Sequence, residues 1–227
     1  MKIITTTRVR NESKNIERFC KAYWWVDKIL IADGGSEDNT LLLANQFPNV
    51  KTENFKVKIY GENNLWRNPH GRHMNFLFTW AKREGADWII FDDCDCVPTT
   101  SLQNNARLLF ETIKEKLVFA YRLYVYGENQ YFPRMNDPGK SIWAWRSDLG
   151  IYASEKDPWV HRIEFSYEEP RLELEPPLAL LHFFAPNEDE IRRKMNFYKL
   201  SGQHPDIRHP KEYGGEIVKL PTWAKYE

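Results

Sequence analysis

Trp88-Ile89-Ile90-Phe91-Asp92-Asp93-Cys94-Asp95 is the stretch of this 227-residue chain that decides its fold. An apolar run that stops on three carboxylates reads as a buried strand whose C-terminal end emerges into a polar site. Open α/β sheets bind their ligands at the carboxyl ends of strands, so these acids stand where chemistry is usually done. If the chain stays extended, side-chain alternation puts Asp93 and Asp95 on one face and Asp92 on the other. Two carboxylates on one face can converge on a hard cation, and Mg²⁺ or Mn²⁺ so held also takes phosphate oxygens from a ligand. The plainer reading is a solvated acidic turn.

The residues before this strand repeat the same grammar. Ile3 to Thr7 is a short β-rich run, and Ile16, Phe19, Cys20 and Tyr23 then fall at the spacing of a helical stripe. Lys28 to Ala32 is a second buried-strand pattern ending at Asp33-Gly34-Gly35-Ser36, after which Ser36 or Asp38 caps a helix carrying Leu41 to Phe47. A third strand is expected near Val57 to Tyr60. Met74, Leu77, Phe78 and Ala81 make another helix, closed by Gly85. Strands alternating with helices predict a mostly parallel sheet covered on both faces, with Asp33 and Asp93 at the same edge.

Past Thr99 the pattern loosens. Leu102, Ala106, Leu109, Phe110 and Ile113 predict a helix, and Leu117 to Tyr126 a long strand. Residues 127–180 mix Pro, Trp, Tyr and charge without a sustained period, which predicts loops and short antiparallel strands. Leu178 to Leu181 reads as a strand ending at His182, and Asn187 as the cap of a helix with Ile191, Met195 and Tyr198 on one face. The tail from Pro205 reads as an irregular arm.

Composition narrows the function. Lys plus Arg and Asp plus Glu number 32 each, so no long-range field favours nucleic acid. No apolar run spans a membrane and the N-terminus lacks an apolar leader, so a cytoplasmic protein is expected, with peripheral membrane association left open. Cys20, Cys94 and Cys96 give no disulfide framework. Cys94 and Cys96 have no second Cys/His cluster at zinc spacing, so they are not read as metal ligands. Aromatic residues make up 15% of the chain, which serves a core and also suits stacking on sugars or bases.

Arg10-Asn11-Glu12, Asp33-Gly34-Gly35-Ser36-Glu37-Asp38-Asn39-Thr40, Arg72 with Asn75, and Asp93-Cys94-Asp95 together resemble family 2 glycosyltransferases of the GT-A fold. The order and spacing match across roughly residues 1–110, with the second acidic motif 60 residues after the first. Val160-His161, Leu180-Leu181-His182 and Lys194 resemble the bacterial lipopolysaccharide-core branch. The chain departs from that pattern at Gly34, where many members have Asp, at Asp92, where an apolar residue is usual, and at Arg162, where the branch has Glu.

The resemblance implies one GT-A catalytic domain over 1–204, with a nucleotide-binding half (1–100), a loop-rich acceptor half (101–204), and an arm over 205–227. It implies an inverting hexosyl transfer from a nucleotide-diphosphate donor, a UDP-sugar, to a glycan or glycolipid acceptor, with Mn²⁺ or Mg²⁺. Asp93, Asp95 and His182 would hold the metal. Thr7, Arg8, Asn11, Glu12, Asp33, Gly34, Arg72, Asn75 and Asp93 would line the nucleotide, with Asp33 accepting from the base. The bland reading of Asp33 is a helix-capping turn with Ser36, that of His182 a hydrogen-bonded half-buried histidine, and that of Lys194 a solvated helix lysine. Inversion needs a carboxylate base, for which the candidates are Glu164, Asp157 and Asp148. Trp143, Trp145 and Trp159 would stack on an acceptor sugar or pack the loop-rich half.

Two other readings share the acidic motif. As the D-x-D-x-V nucleophile motif of haloacid-dehalogenase phosphatases, Asp93 would be the nucleophile and Asp95 the acid, although that fold begins with its motif. The Arg162 departure also admits a nucleotide-sugar or glycan-binding module without turnover.

Overall fold

Strands covered by helices on both faces need near-continuous apolar runs, and the N-terminal half supplies three. The computed structural model describes residues 1–55, 70–127, 129–131, 140–154, 163–164, 169–185, 187–200 and 218–226. In it β1 (Ile3–Val9) pairs in parallel with β2 (Lys28–Asp33) on one side, and on the other with the strand that opened the sequence reading, β4 (Trp88–Phe91). Asp33 and the acids after Phe91 therefore leave the sheet at the same edge, as expected.

The connections are helical. α1 (Ile16–Ala22) buries Ile16, Phe19 and Cys20, and α2 (Thr40–Ala44) follows β2. α3 (His70–Arg83) buries Met74, Leu77, Phe78 and Ala81 against β1 and β2. Gly85 follows it at φ +77°, a left-handed turn that costs glycine little. α4 (Thr100–Thr112) starts at Thr99, whose hydroxyl accepts from the Leu102 amide at 3.3 Å.

β3 lies at Val50–Asn54, parallel to β2; the strand expected near residues 57–60 falls outside the described residues. β3 is an edge strand whose residues are half-buried or exposed, so it carries no apolar run to betray it.

Most of the described strands of the second half extend this sheet. β5 (Cys96–Pro98), β6 (Leu117–Tyr126), β7 (Gln130–Tyr131), β8 (Ser141–Arg146), β11 (Arg171–Glu173), β12 (Ala179–Ala185) and β13 (Val218–Lys219) all join it. β9 (Tyr152–Ala153) and β10 (Ile163–Glu164) form a separate antiparallel pair, and α5 (Glu188–Leu200) follows β12. The Asn187 side chain accepts from the Glu190 amide at 3.0 Å, the expected cap.

β8 is one of the antiparallel strands expected in residues 127–180, and it lies inside the sheet, between β4 and β6. Val118 pairs with Ala144 and Phe119 with Ile142, so Trp143 is the extra residue of a bulge. The bulge breaks alternation and sends the two tryptophans to different cores. Trp143 joins the cluster of α1 and α4, stacked 5.7 Å from Phe110, and Trp145 meets Phe78 of α3 edge-on at 4.8 Å. Both are fully buried, so neither is a platform for a sugar. Trp159 lies outside the described residues.

The C-terminal arm is likewise built into the fold where it is described. β13 pairs with β7, Ala224 is buried, and the Lys225 carbonyl accepts from the Thr100 amide at 2.8 Å. Among the described residues no helix is long and apolar enough to cross a membrane.

Trp143→Ala is expected to cost about 3–5 kcal/mol, the range for emptying a buried aromatic site. Urea unfolding followed by far-UV circular dichroism measures this. A loss under about 0.5 kcal/mol, the surface range, would mean that Trp143 is not core.

Candidate active site

A carboxylate that leaves a buried strand must find partners or reach water. Asp92 is fully buried, and it takes a hydrogen bond from the Tyr23 hydroxyl at 2.8 Å and one from the Arg122 guanidinium at 3.1 Å. The Trp143 indole N–H donates to the same Tyr23 oxygen at 3.2 Å. Burial pushes the Asp92 carboxyl up to about 6, against the opposing pull of Arg122 and Tyr23.

Past Asp92 the chain does not stay extended. β4 stops at Phe91, and the Cys96 amide folds back to donate to the Asp93 carbonyl at 2.8 Å. Asp93 and Asp95 therefore do not share a strand face, and the alternation argument fails at this turn. Asp93 faces the end of β1, its carboxylate 3.4 Å from the Arg8 guanidinium. Asp95 faces β12, 3.2 Å from His182 Nε2.

His182 is not a strand-end residue, since β12 runs on to Ala185. It pairs directly with Cys96 across the β5–β12 ladder, which puts both side chains on one face. Asp95, Cys96 and His182 each offer a ligand atom within 4.8 Å of the others, and Asp93 is not in that group. Asp95 and His182 are each 15% exposed, whereas Cys96 is buried beneath them. Oxygen, nitrogen and sulfur donors at this spacing fit a divalent cation with coordination positions left towards solvent.

The neighbouring strand ends form a second wall. Asp33 is 1% exposed, and its oxygens accept from the amides of Gly35 and Ser36 at 3.1 Å and from the Ser36 hydroxyl at 2.6 Å. Ser36 thus closes on Asp33 instead of capping α2. The Asp38 carboxylate accepts from the Thr40 amide at 3.0 Å and from the Ser13 amide at 3.1 Å. Gly35 carries the left-handed turn at φ +94°. Gly34 lies close under β1, where an added methyl would sit 3.4 Å from the Val9 carbonyl.

Asn11, itself left-handed at φ +56°, donates its amide to Ser36 Oγ at 2.9 Å and accepts from the Glu37 amide at 2.8 Å. The Glu12 amide donates to Thr40 Oγ1 at 2.8 Å. These two residues tie the β1 and β2 loops together, while Thr7 is buried within β1.

α3 presents Arg72 in its first turn. Arg72 lines a shallow cleft along this helix with Phe55, Phe76 and Arg83, and none of the Asp95 group lies in that cleft. The Asn75 amide is committed to Ala153 of β9, accepting from its N–H at 2.7 Å and donating to its carbonyl at 3.0 Å.

His73, which sequence reasoning passed over, is 2% exposed, stacks on Phe55 at 5.0 Å, and adjoins Gly34. Burial first, and the Arg8 charge second, push its imidazole down to about 4. A helix stripe that continues polar at position 73 was the available signal.

The base candidates separate. Asp148 is a correction: it follows β8 at the edge opposite the acids, where Ser147 bonds to Asp87 ahead of β4, and it pairs with Lys116 at 2.8 Å. Glu164 sits in β10 opposite Tyr152, on the pair that Asn75 holds to α3. Asp157, like Val160, His161 and Arg162, lies outside the described residues, as does the side chain of Lys194. The structure also brings Arg18 to the site, its guanidinium 3.6 Å over the Phe183 ring with the Asp95 charge acting on it.

No family model and no curated protein matches this chain. Solved structures do. TarS 1-349 of S. aureus in complex with UDP superposes with a TM-score of 0.57 at 12% identity, over 93% of this chain and 68% of that one. Its complex with UDP-GlcNAc gives 0.55 at 14% identity, over 93% and 69%. Against the longer TarS chain the TM-score is 0.55 at 12% identity, and this chain spans 41% of that length. The likeness bears out the expected α/β fold, with its mostly parallel sheet flanked by helices. The acidic motif follows β4, whereas the phosphatase reading expects it after the first strand.

Because the unfolded state takes up the His73 proton near pH 6.5 and the folded state only near 4, stability falls as pH drops through that window. The slope from this group is at most about 1.4 kcal/mol per pH unit. Urea midpoints between pH 7 and 4.5 should fall more steeply for the native chain than for His73→Gln. Parallel curves would contradict a buried, neutral His73.

Proposed function

We propose that this chain is a glycosyltransferase that moves a sugar from a UDP-sugar to a hydroxyl of a glycan or glycolipid, with inversion and with a divalent cation. The observation that carries the reading is the Asp95–His182 pair, 3.2 Å apart at the carboxyl edge of the sheet, beside the Asp33 loop. The fold is one that holds UDP and UDP-GlcNAc in the TarS structures.

Asp95 and His182 would hold Mn²⁺ or Mg²⁺, which when bound neutralises charge developing on the leaving diphosphate. Asp33, already fixed by the Gly35 and Ser36 amides, accepts the imide N–H of the base without reorganising. Arg8 keeps the Asp93 carboxylate oriented towards a ribose hydroxyl. Arg72, in the first turn of α3 where the helix dipole favours anions, holds a diphosphate or base oxygen. Asn75 orients the β9–β10 pair that carries Glu164. Glu164 then takes the acceptor hydroxyl proton as that oxygen attacks the sugar from the face opposite the diphosphate, and Asp157 is the second candidate for this step.

Asp95→Ala should abolish the part of UDP binding that depends on Mn²⁺, read by calorimetry with and without the ion. Glu164→Gln should leave UDP binding intact and slow turnover by about 10²-fold or more, read as UDP release with a sugar donor and acceptor. Metal-dependent binding that survives loss of Asp95 would refute the site. Turnover that survives Glu164→Gln would pass the base to Asp157, and donor binding without turnover across an acceptor panel would favour a binding module.

A further inference from the structure

We propose that Cys96 is a third protein ligand of the metal centre, so that of the two ions named above the site favours Mn²⁺, and it also takes thiophilic divalent ions of the zinc and cobalt(II) class. This rests on the metal reading above but not on the sugar chemistry. The register supplies the sulfur: Cys96 of β5 lies directly across from His182 of β12, and directly opposed residues share a face. Asp95 comes between them, its Oδ2 3.2 Å from His182 Nε2 and its Oδ1 3.9 Å from Cys96 Sγ. Donors around one tetrahedral ion at ordinary bond lengths lie about 3–4 Å from each other; both Asp95 contacts fall in that range, and all three ligand atoms lie within 4.8 Å of one another. Among the described residues this is the group of metal-ligating side chains that closes on one point.

The donor set decides the ion. One carboxylate, one imidazole and one thiolate with an open position is the ligand count of an open zinc site. Mg²⁺ keeps to oxygen and to octahedral geometry, whereas thiolate selects softer ions. Burial pushes the Cys96 thiol well up, so sulfur binds only as the S–H bond breaks, its proton leaving to solvent while the S–metal bond forms. Arg122, whose charge acts on Cys96, sits where it offsets the thiolate. Phosphate oxygens would enter on the exposed side, past Asp95 and His182.

The test is a titration of the full chain with Co²⁺, followed by absorbance. A thiolate on cobalt gives an intense near-ultraviolet charge-transfer band, and any tight site gives weaker visible bands. The native chain should show both at one equivalent, Cys94→Ser should keep both, and Cys96→Ser should lose the near-ultraviolet band and weaken affinity by at least about tenfold. Cobalt bound with visible bands but no charge-transfer band would overturn the sulfur ligand and leave the Asp95–His182 metal reading standing. A band that persists in both Cys96→Ser and Cys96→Ala would overturn it as well. A native spectrum without the charge-transfer band overturns the sulfur ligand even if the variants do not fold.

Discussion

The fully buried carboxylate of Asp92, held between the Tyr23 hydroxyl and the Arg122 guanidinium, is the constraint on which the site's shape depends. Losing one partner of such a pair costs far more than the pair itself contributes, because an uncompensated charge is left in the interior. Asp92 is thus fixed where β4 ends, and the chain turns directly after it, the Cys96 amide donating to the Asp93 carbonyl at 2.8 Å. That turn throws Asp93 towards Arg8 on β1 and Asp95 towards His182 on β12. One buried ion pair thus stands where the acidic motif divides, Asp93 to Arg8 and Asp95 to His182.

The partners of this turn come from far apart in the chain. Arg122 is on β6, which pairs in parallel with β12 over Tyr121 to Tyr126. β12 in turn grips the turn directly, its Phe183 amide donating to the Asp95 carbonyl at 2.8 Å. Arg18 of α1 lies over the Phe183 ring, and Tyr226 from the C-terminal segment meets that ring edge-on at 4.7 Å. The described part of the second half is thus structural support for the first-half motif.

Much of this was legible in the sequence, because buried parallel strands and amphipathic helices leave strong local periods. β1, β2, β4, β6 and α1 to α4 follow from apolar spacing alone, and Asp33 and the later acids share the predicted edge. What failed had non-local causes. β3 is a polar edge strand, and the Trp143 bulge depends on register with β6. The Asp93–Asp95 alternation failed at the turn after Asp92, which is anchored by residues 69 positions before it and 30 after it. Cys94 and Cys96 have no second Cys/His cluster at zinc spacing in the sequence, yet His182 stands opposite Cys96 once β5 and β12 pair. Local spacing carries no information about such a pairing.

The most direct test of the account is an anomalous-scattering map from a crystal of the chain grown with Mn²⁺ and UDP. The account predicts one strong manganese peak bonded at about 2.0–2.3 Å to Asp95 and His182, with a diphosphate oxygen of UDP on its exposed side. Bound UDP with no metal at Asp95, or a manganese peak centred elsewhere on the chain, would contradict it.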